Sequence, residues 1–364
     1  MTLGSSLVVS RSDLDHMEVR PSVLTDGSTP PTGSALLAIE SFALSTHTVT
    51  TAASADSTGA WRHFPAPDGF GHIPTFGRAR VARSGHPDLA EGLEVTGYLP
   101  MATHLLVTPE RIDPRGFSDG APHRRGSAGV HDRYLFRAVD PTSVAADDPD
   151  LEVALRPQFT MAFLIVAGLS ARRMDEVAAV VVTSASCRTA LGVAHLLGAL
   201  DRPPAVIGVT RDDHVADTTS SGCYDRVLSY RDVASLPVGP TMVVDFSGDG
   251  AVAHDVHHHL GDSLLRSIVV GATHRNAAPV DTSALPGASR ELFLAPEVAE
   301  DLRRRVDDTA IEAAFTDAWR SFLRRLHGWW EPREVVGPDA VVEAYLQARE
   351  GSVGVRELVV GSLR

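Results

Sequence analysis

Apolar and polar positions along the chain change their period twice. Between residues 34 and 108 the apolar residues fall in short alternating or β-branched runs: Ser34–Glu40, Phe42–Thr50, Arg78–Arg83, Leu93–Pro100 and Thr103–Thr108, with Gly- and Pro-bearing turns between them. This pattern predicts a small, barrel-like β-rich domain. Residues 1–33 are polar and end in the turn signal Ser-Thr-Pro-Pro-Thr-Gly. Residues 109–132, rich in Arg, Gly and Pro, read as a surface excursion. Leu151–Leu169 reads as one or two helices interrupted at Pro157. Strand-like runs then alternate with helical spacing. They lie at Val177–Thr183, Ala205–Thr210, Arg226–Ser229, Thr241–Phe246, Ser267–Gly271 and Glu291–Leu294. That alternation implies an α/β unit with a doubly wound parallel sheet. Pro296–Leu326 reads as one or two charged helices, Pro338–Ala348 as a helix and Arg356–Gly361 as a strand. A β-rich domain over 1–155, completed by 327–364, would thus enclose an α/β domain over 156–326.

The α/β unit opens at Ala178–Leu200. Five apolar residues, Ala178–Val182, predict a strand buried on both faces. Thr183-Ser184-Ala185-Ser186 make a turn, and Thr189, Ala190, Val193, Ala194 and Leu197 recur at helical spacing. The N–H groups at such a helix start can seat a phosphate. The Gly-x-Gly-x-x-Gly form is absent: Ser-Ala-Ser-Cys-Arg-Thr-Ala stands in its place, and only Gly192 remains, one turn further on. Glycine admits close backbone approach to pyrophosphate. Arg188 cannot, but its guanidinium could clamp a phosphate directly. The alternative is a degenerate turn that binds nothing.

Composition narrows the chemistry. The 364 residues carry a formal net charge of −13, which argues against nucleic acid and anionic membrane surfaces. No apolar run approaches the ~18 residues needed to span a membrane, and the first residues lack the pattern of a signal peptide; a cytoplasmic protein is the expectation. Two cysteines, Cys187 and Cys223, do not make a disulfide scaffold or a Cys-based zinc site. All 33 Lys and Arg residues are arginine. That removes Schiff-base lysines, a pyridoxal phosphate anchor, a P-loop lysine and a Tyr-Lys catalytic pair. There is no Gly-x-Ser-x-Gly elbow either.

Segments spread along most of the chain carry a family resemblance. They are Ala43–Ala52, Gly71–Gly77, Gly97–Ala102, Leu155–Thr160, the Ser-Ala-Ser turn, Gly271–His274 and Leu292–Pro296. Together they resemble the medium-chain dehydrogenase/reductase superfamily. The likeness is to its zinc-free, quinone-oxidoreductase-like branch, and within that to a related family of unknown function. The resemblance implies a GroES-like β-rich domain with catalytic residues, plus a Rossmann-type dinucleotide-binding domain. It further implies NADP(H)-dependent reduction of a small-molecule carbonyl or activated alkene between the two domains, and, by analogy only, a homodimer. By its logic Ser184, Ala185, Ser186, Arg188 and Thr189 face the pyrophosphate. Thr210 and Arg211 face the adenosine ribose, where a positive residue favours NADP over NAD, although Asp212 and Asp213 follow. Phe246, Ser247, Thr273 and His274 end later strands on the ligand side. The subgroup's motif Leu-Thr-Ala-Asn-Asn-Ile-Thr-Tyr-Ala has two asparagines and a tyrosine where this chain has His47, Thr48 and Thr51. That departure suggests a different proton-transfer task, with His47 or Thr48 polarising or protonating the substrate and His274 nearby.

Two rival readings keep the fold. In one the protein is a cofactor-free lyase, isomerase or hydrolase using His47 as acid/base, with His274 or Asp245 as helper. In the other it is a non-catalytic small-molecule-binding protein. Other candidates point to structure. Tyr224 and Tyr230 follow the second strand and could stack near adenine, but packing is the preferred reading. His254 and His258, at i and i+4, share a helix face but lack a third metal ligand. Trp329 and Trp330 read as core, with an interdomain wedge or a subunit contact as the alternatives. Cys187 sits at a helix start that would favour a thiolate, but without a positioned base.

Overall fold

The computed structural model describes residues 4–125, 129–144, 148–170, 174–271 and 285–364. The chain divides into two compact units, Met1–Arg156 with Trp330–Arg364, and Pro157–Trp329. The first unit contains β1 (Gly4–Ser10), β2 (Met17–Ser22), β3 (Ala35–Leu44), α1 (Thr46–Thr58), β4 (Phe70–Gly71), β5 (Thr75–Ser84), β6 (Glu94–Leu99) and β7 (His104–Val107). It continues with β8 (Pro109–Asp113), β9 (Gly116–Asp119), α2 (Gly129–Asp132), β10 (Arg133–Phe136), α3 (Pro141–Val144) and the start of α4 (Pro149–Ser170). The second unit contains β11 (Ala179–Thr183), α5 (Arg188–Gly198), β12 (Ala205–Thr210), α6 (Val215–Ser220), β13 (Arg226–Ser229) and β14 (Thr241–Asp245). After these come α7 (Gly250–Leu260), β15 (Leu264–Val269), β16 (Arg290–Leu292), α8 (Ala295–Arg305) and α9 (Asp308–Arg325). The chain then returns to the first unit as β17 (Glu331–Val336), α10 (Pro338–Glu350) and β18 (Glu357–Ser362).

The first unit is a β-rich body. Its larger sheet runs β17-β18-β3-β5-β6-β10-β9-β8, with β7 also paired to β3, and a smaller sheet runs β2-β1-β4. The core gathers Phe42, Val49, Trp61, Phe117, Tyr134, Tyr345 and Val359. The C-terminal return is structural: β18 pairs antiparallel with β3 through Val359 to Leu44 and Val360 to Ala43.

Three sequence expectations for this unit need correction. Residues 1–33 include the paired strands β1 and β2, because Leu7, Val8 and Val9 are buried. Phe42–Thr50 does not continue as a strand. Ser45 accepts the His47 N–H at 3.2 Å, and Thr48 Oγ1 accepts the Ser45 N–H at 3.2 Å. This capping box outweighs the β propensity of the threonines and starts α1 at Thr46. The buried Thr48, Val49, Ala52 and Ala55 repeat at helical spacing. The 109–132 segment is not a surface excursion: Arg124 within it is 2% exposed. Its guanidinium pairs with Asp119 at 2.9 Å and Asp132 at 3.2 Å and donates to the Tyr134 hydroxyl at 3.1 Å. A buried cation requires such partners.

The second unit is a six-stranded sheet of order β13-β12-β11-β14-β15-β16, every neighbouring pair parallel. Every residue of β11 is buried, as a strand covered on both faces requires. The order reverses between β11 and β14, and open α/β sheets bind ligands beside the carboxyl ends at such a point. Helix α5 packs closely on α4: a Cβ on Gly192 would lie 2.8 Å from the Ala162 Cβ. Phe159 of α4 stacks on Phe322 of α9 at 4.9 Å between ring centroids. Helix α4 is continuous through Pro157, where the two units divide. By length and composition α4 is also apolar enough to cross a membrane, but half of that stretch is buried within the protein. Arg156, Pro157, Gln158 and Thr160 interrupt its apolar run, which is why the sequence shows no span there.

Candidate functional site

The turn from β11 into α5 holds the first group of candidate residues. Ser184 has φ +49°, the left-handed region that glycine favours. A serine therefore makes the bend that a glycine would make in the dinucleotide motif. The bend is braced from outside. The Ser184 N–H donates to the Tyr230 hydroxyl at 3.1 Å, and the Tyr224 hydroxyl donates to the Ala185 carbonyl at 2.8 Å. The Ala185 N–H reaches the Val209 carbonyl at 3.1 Å. Gly208 makes room for this packing, since a Cβ there would lie 2.7 Å from the Ala185 Cβ. Cys187 caps α5, its Sγ accepting the Ala190 N–H. Burial pushes the Cys187 thiol up to about 11, so desolvation overrides the helix start and the thiol stays protonated at neutral pH. Arg188 is the first residue of α5; Arg188 and Thr189 are half-buried. Ser186 keeps a donor in reserve: its N–H has no acceptor among the described residues.

The end of β12 meets this turn. Buried Thr210 donates its hydroxyl to Ser186 Oγ at 3.1 Å. Ser186 Oγ also contacts His214 Nδ1 at 2.9 Å, and Arg211 Nη2 donates to His214 Nε2 at 2.9 Å. The Arg211 guanidinium is held besides by Asp213, at 3.1 and 2.7 Å, and this hydrogen bonding keeps the Asp213 carboxyl below its usual range. Asp212 pairs with Arg231 instead. The sequence reading missed His214; its one signal was position, three residues past the strand end.

Phe246 and Ser247, expected to face the cofactor, are buried at the end of β14 in a closed network. The Thr183 hydroxyl donates to Asp245 Oδ1 at 2.6 Å and accepts the Phe246 N–H at 3.0 Å. The Ser247 hydroxyl donates to the same carboxylate oxygen at 2.7 Å, and Arg290 closes the network on Asp245 Oδ2. Asp245 is thus an ion-paired brace between strands and not a free acid/base. Thr273 and His274 lie outside the described residues.

His47 and Thr48 lie in the first unit, at the second and third positions of α1. Thr48 is buried and commits its hydroxyl, accepting from Ser45 and donating to the Ala43 carbonyl at 3.4 Å. His47 is accessible to solvent yet crowded. Desolvation, and after it the charge of His131, hold its pKa below the ordinary histidine value. His131 stacks on His63 at 4.6 Å and meets Tyr98 at a tilt, 4.7 Å between ring centroids. Burial, with His131 second, lowers His63 to about 4; burial raises Tyr98 to about 12. This group of imidazoles and a phenol does not show in sequence, because its members come from α1, the segment after it, β6 and α2.

His257 is structural, bridging the Pro286 carbonyl and Ser267 Oγ at 3.0 Å each. The His254 and His258 rings lie tilted against each other, 4.1 Å between centroids. Among the described residues no group of three or more His, Cys, Asp or Glu side chains is placed to hold a metal ion. Trp329 and Trp330 are both buried, and the Trp329 indole donates to Ser220 Oγ at 2.8 Å.

The β-rich unit and the parallel sheet of this strand order are the GroES-like and Rossmann-type parts of the fold. The family model described as "Protein of unknown function (DUF2855)" matches residues 42–354, and the chain belongs to that family. No curated protein matches in sequence. Solved structures match in fold over nearly their whole lengths. A putative NADPH:quinone reductase from Bacillus thuringiensis has TM-score 0.63 and 11% identity, over 100% of this chain and 99% of the other. CurA from Vibrio vulnificus in complex with NADPH has TM-score 0.61 and 14% identity, over 99% of each. The yhdH oxidoreductase from Salmonella enterica in complex with NADP has TM-score 0.55 and 16% identity, over 99% of this chain and 100% of the other.

Proposed function

We propose that the protein is an NADP(H)-dependent, zinc-independent oxidoreductase acting on a carbonyl or activated alkene. The observation that carries this reading is the β11–α5 turn. It keeps the left-handed bend at Ser184 without glycine and leaves the Ser186 N–H, among the described residues, without an acceptor at the switch point of the sheet. Those features fit a diphosphate: Ser186 and the start of α5 would bind it, with Arg188 and Thr189 beside them. Arg211 would take the 2′-phosphate in competition with Asp213. The neighbours solved with NADPH and NADP support the same reading.

When bound, the nicotinamide supplies a hydride to the substrate carbon. His47 would assist at the substrate oxygen. Its lowered pKa and its place at the start of a helix keep the imidazole neutral at pH 7. It therefore acts by donating a hydrogen bond to the oxygen as negative charge develops there, and the proton that completes reduction comes from solvent. Thr48 would hold His47 in place through the α1 cap. The test is NADPH oxidation with a panel of aldehydes, quinones and enoyl thioesters. Turnover that depends on His47 is expected; turnover of a substrate with all nucleotide stripped away would instead favour the cofactor-free reading.

A further inference from the structure

The contacts around Ser186 fix where its hydrogen points. Arg211 has only donors, so the His214 Nε2 it touches at 2.9 Å must be the acceptor. The neutral ring then carries its hydrogen on Nδ1, which lies 2.9 Å from Ser186 Oγ. Thr210 donates to the same oxygen at 3.1 Å. Both lone pairs of Ser186 Oγ are then filled, and its own O–H is left to donate outward, beside a backbone N–H that has no acceptor among the described residues. We propose that His214 is a positioning residue that holds Ser186 as a double donor to a phosphate oxygen, linking the Arg211 end of the nucleotide site to the diphosphate end.

The surroundings favour the neutral ring this requires. Desolvation and the Arg211 charge lower the His214 pKa, against Asp213 and Asp217, which raise it. Thr210 and Ser186, facing the ring from β12 and the β11–α5 turn, are uncharged. The inference rests on the NADP(H) reading and makes a demand that reading does not. Asparagine places an N–H where Nδ1 stands; glutamine places its amide where Nε2 stands. His214→Asn should keep the donor to Ser186, whereas His214→Gln should keep only the contact with Arg211.

The experiment has two parts, both on the full chain, with thermal unfolding of each variant as a folding control. Long-range ¹H–¹⁵N spectra of the nucleotide-free protein at pH 7.5 should show His214 as the Nδ1–H tautomer; an Nε2–H tautomer or an imidazolium overturns the proposal. NADPH titration should give His214→Asn within about twofold of wild type. His214→Gln and Ser186→Ala should each be weaker by about tenfold, one hydrogen bond to a charged oxygen. Equal affinities for the Asn and Gln variants overturn the relay while wild-type binding keeps the cofactor reading. Failure of the wild type to bind NADPH removes that reading and the relay with it.

Discussion

Gly208→Ala tests whether close packing of β12 against the turn positions the candidate nucleotide site. The new methyl would sit 2.7 Å from the Ala185 Cβ and 3.1 Å from the Tyr224 ring. Carbon atoms prefer about 3.5–4.0 Å, so the first contact is short by roughly an ångström. Neither neighbour can swing aside. The Ala185 methyl moves only with its backbone, and Tyr224 is tied by its hydroxyl to the Ala185 carbonyl. Relief must come from the Ser184–Ser186 backbone. Overpacking of this kind costs about 1–3 kcal/mol, read as a lower urea midpoint at unchanged m-value. A displaced turn should also weaken NADPH binding by about tenfold, one hydrogen bond to a charged oxygen. Gly198→Ala is the control. It lies at the end of α5 with nothing among the described residues within 4 Å of its Cβ position, so it should be neutral or stabilising by up to about 1 kcal/mol. If Gly208→Ala matched the control in stability and affinity, the packing argument for the turn would be refuted.

Other outcomes follow from the same structure. His47→Ala should lower NADPH-dependent turnover at least tenfold with NADPH affinity unchanged, because the lost group is a hydrogen bond to the developing oxyanion; an equal loss of NADPH affinity would move His47 out of the reaction and into cofactor binding. Asp213→Ala frees Arg211 and should raise the preference for NADPH over NADH by several-fold, while Arg211→Ala lowers it by about tenfold; titrations with both nucleotides decide it. Buried His63 is held near 4, below its unfolded value of about 6.5. The unfolded chain then binds the extra proton between those values, so stability present above pH 6.5 is lost as pH falls toward 4, by up to about 3 kcal/mol. His63→Phe should flatten that part of a pH series of urea midpoints; an unchanged slope would assign the acid sensitivity elsewhere.

The α/β unit was legible because its strands are buried on both faces and read as unbroken apolar runs, as Ala179–Thr183 does. The β-rich unit was less so, for reasons that residues make plain. Thr46, Thr48 and Thr50 carry β propensity, yet the Ser45–Thr48 cap makes the segment helical, and capping is a two-residue signal easily outvoted by composition. Arg124 reads as surface because its two carboxylates, Asp119 and Asp132, become partners only once β9 and α2 are folded beside it. Phe246 and Ser247 sit at a strand end as expected, but strand position alone does not say that Thr183 and Asp245 occupy them. His214 and the His63–His131 stack were invisible for the same reason: their meaning is the company they keep in space.

The account depends on a diphosphate resting on a turn without glycines, and a crystal structure of the full chain grown with NADP tests that most directly. A diphosphate oxygen within hydrogen-bonding reach of both the Ser186 N–H and its Oγ is the expected result. A turn with no nucleotide at millimolar NADP, its Ser184–Tyr230 and Ser186–His214 contacts as they stand here, would contradict it.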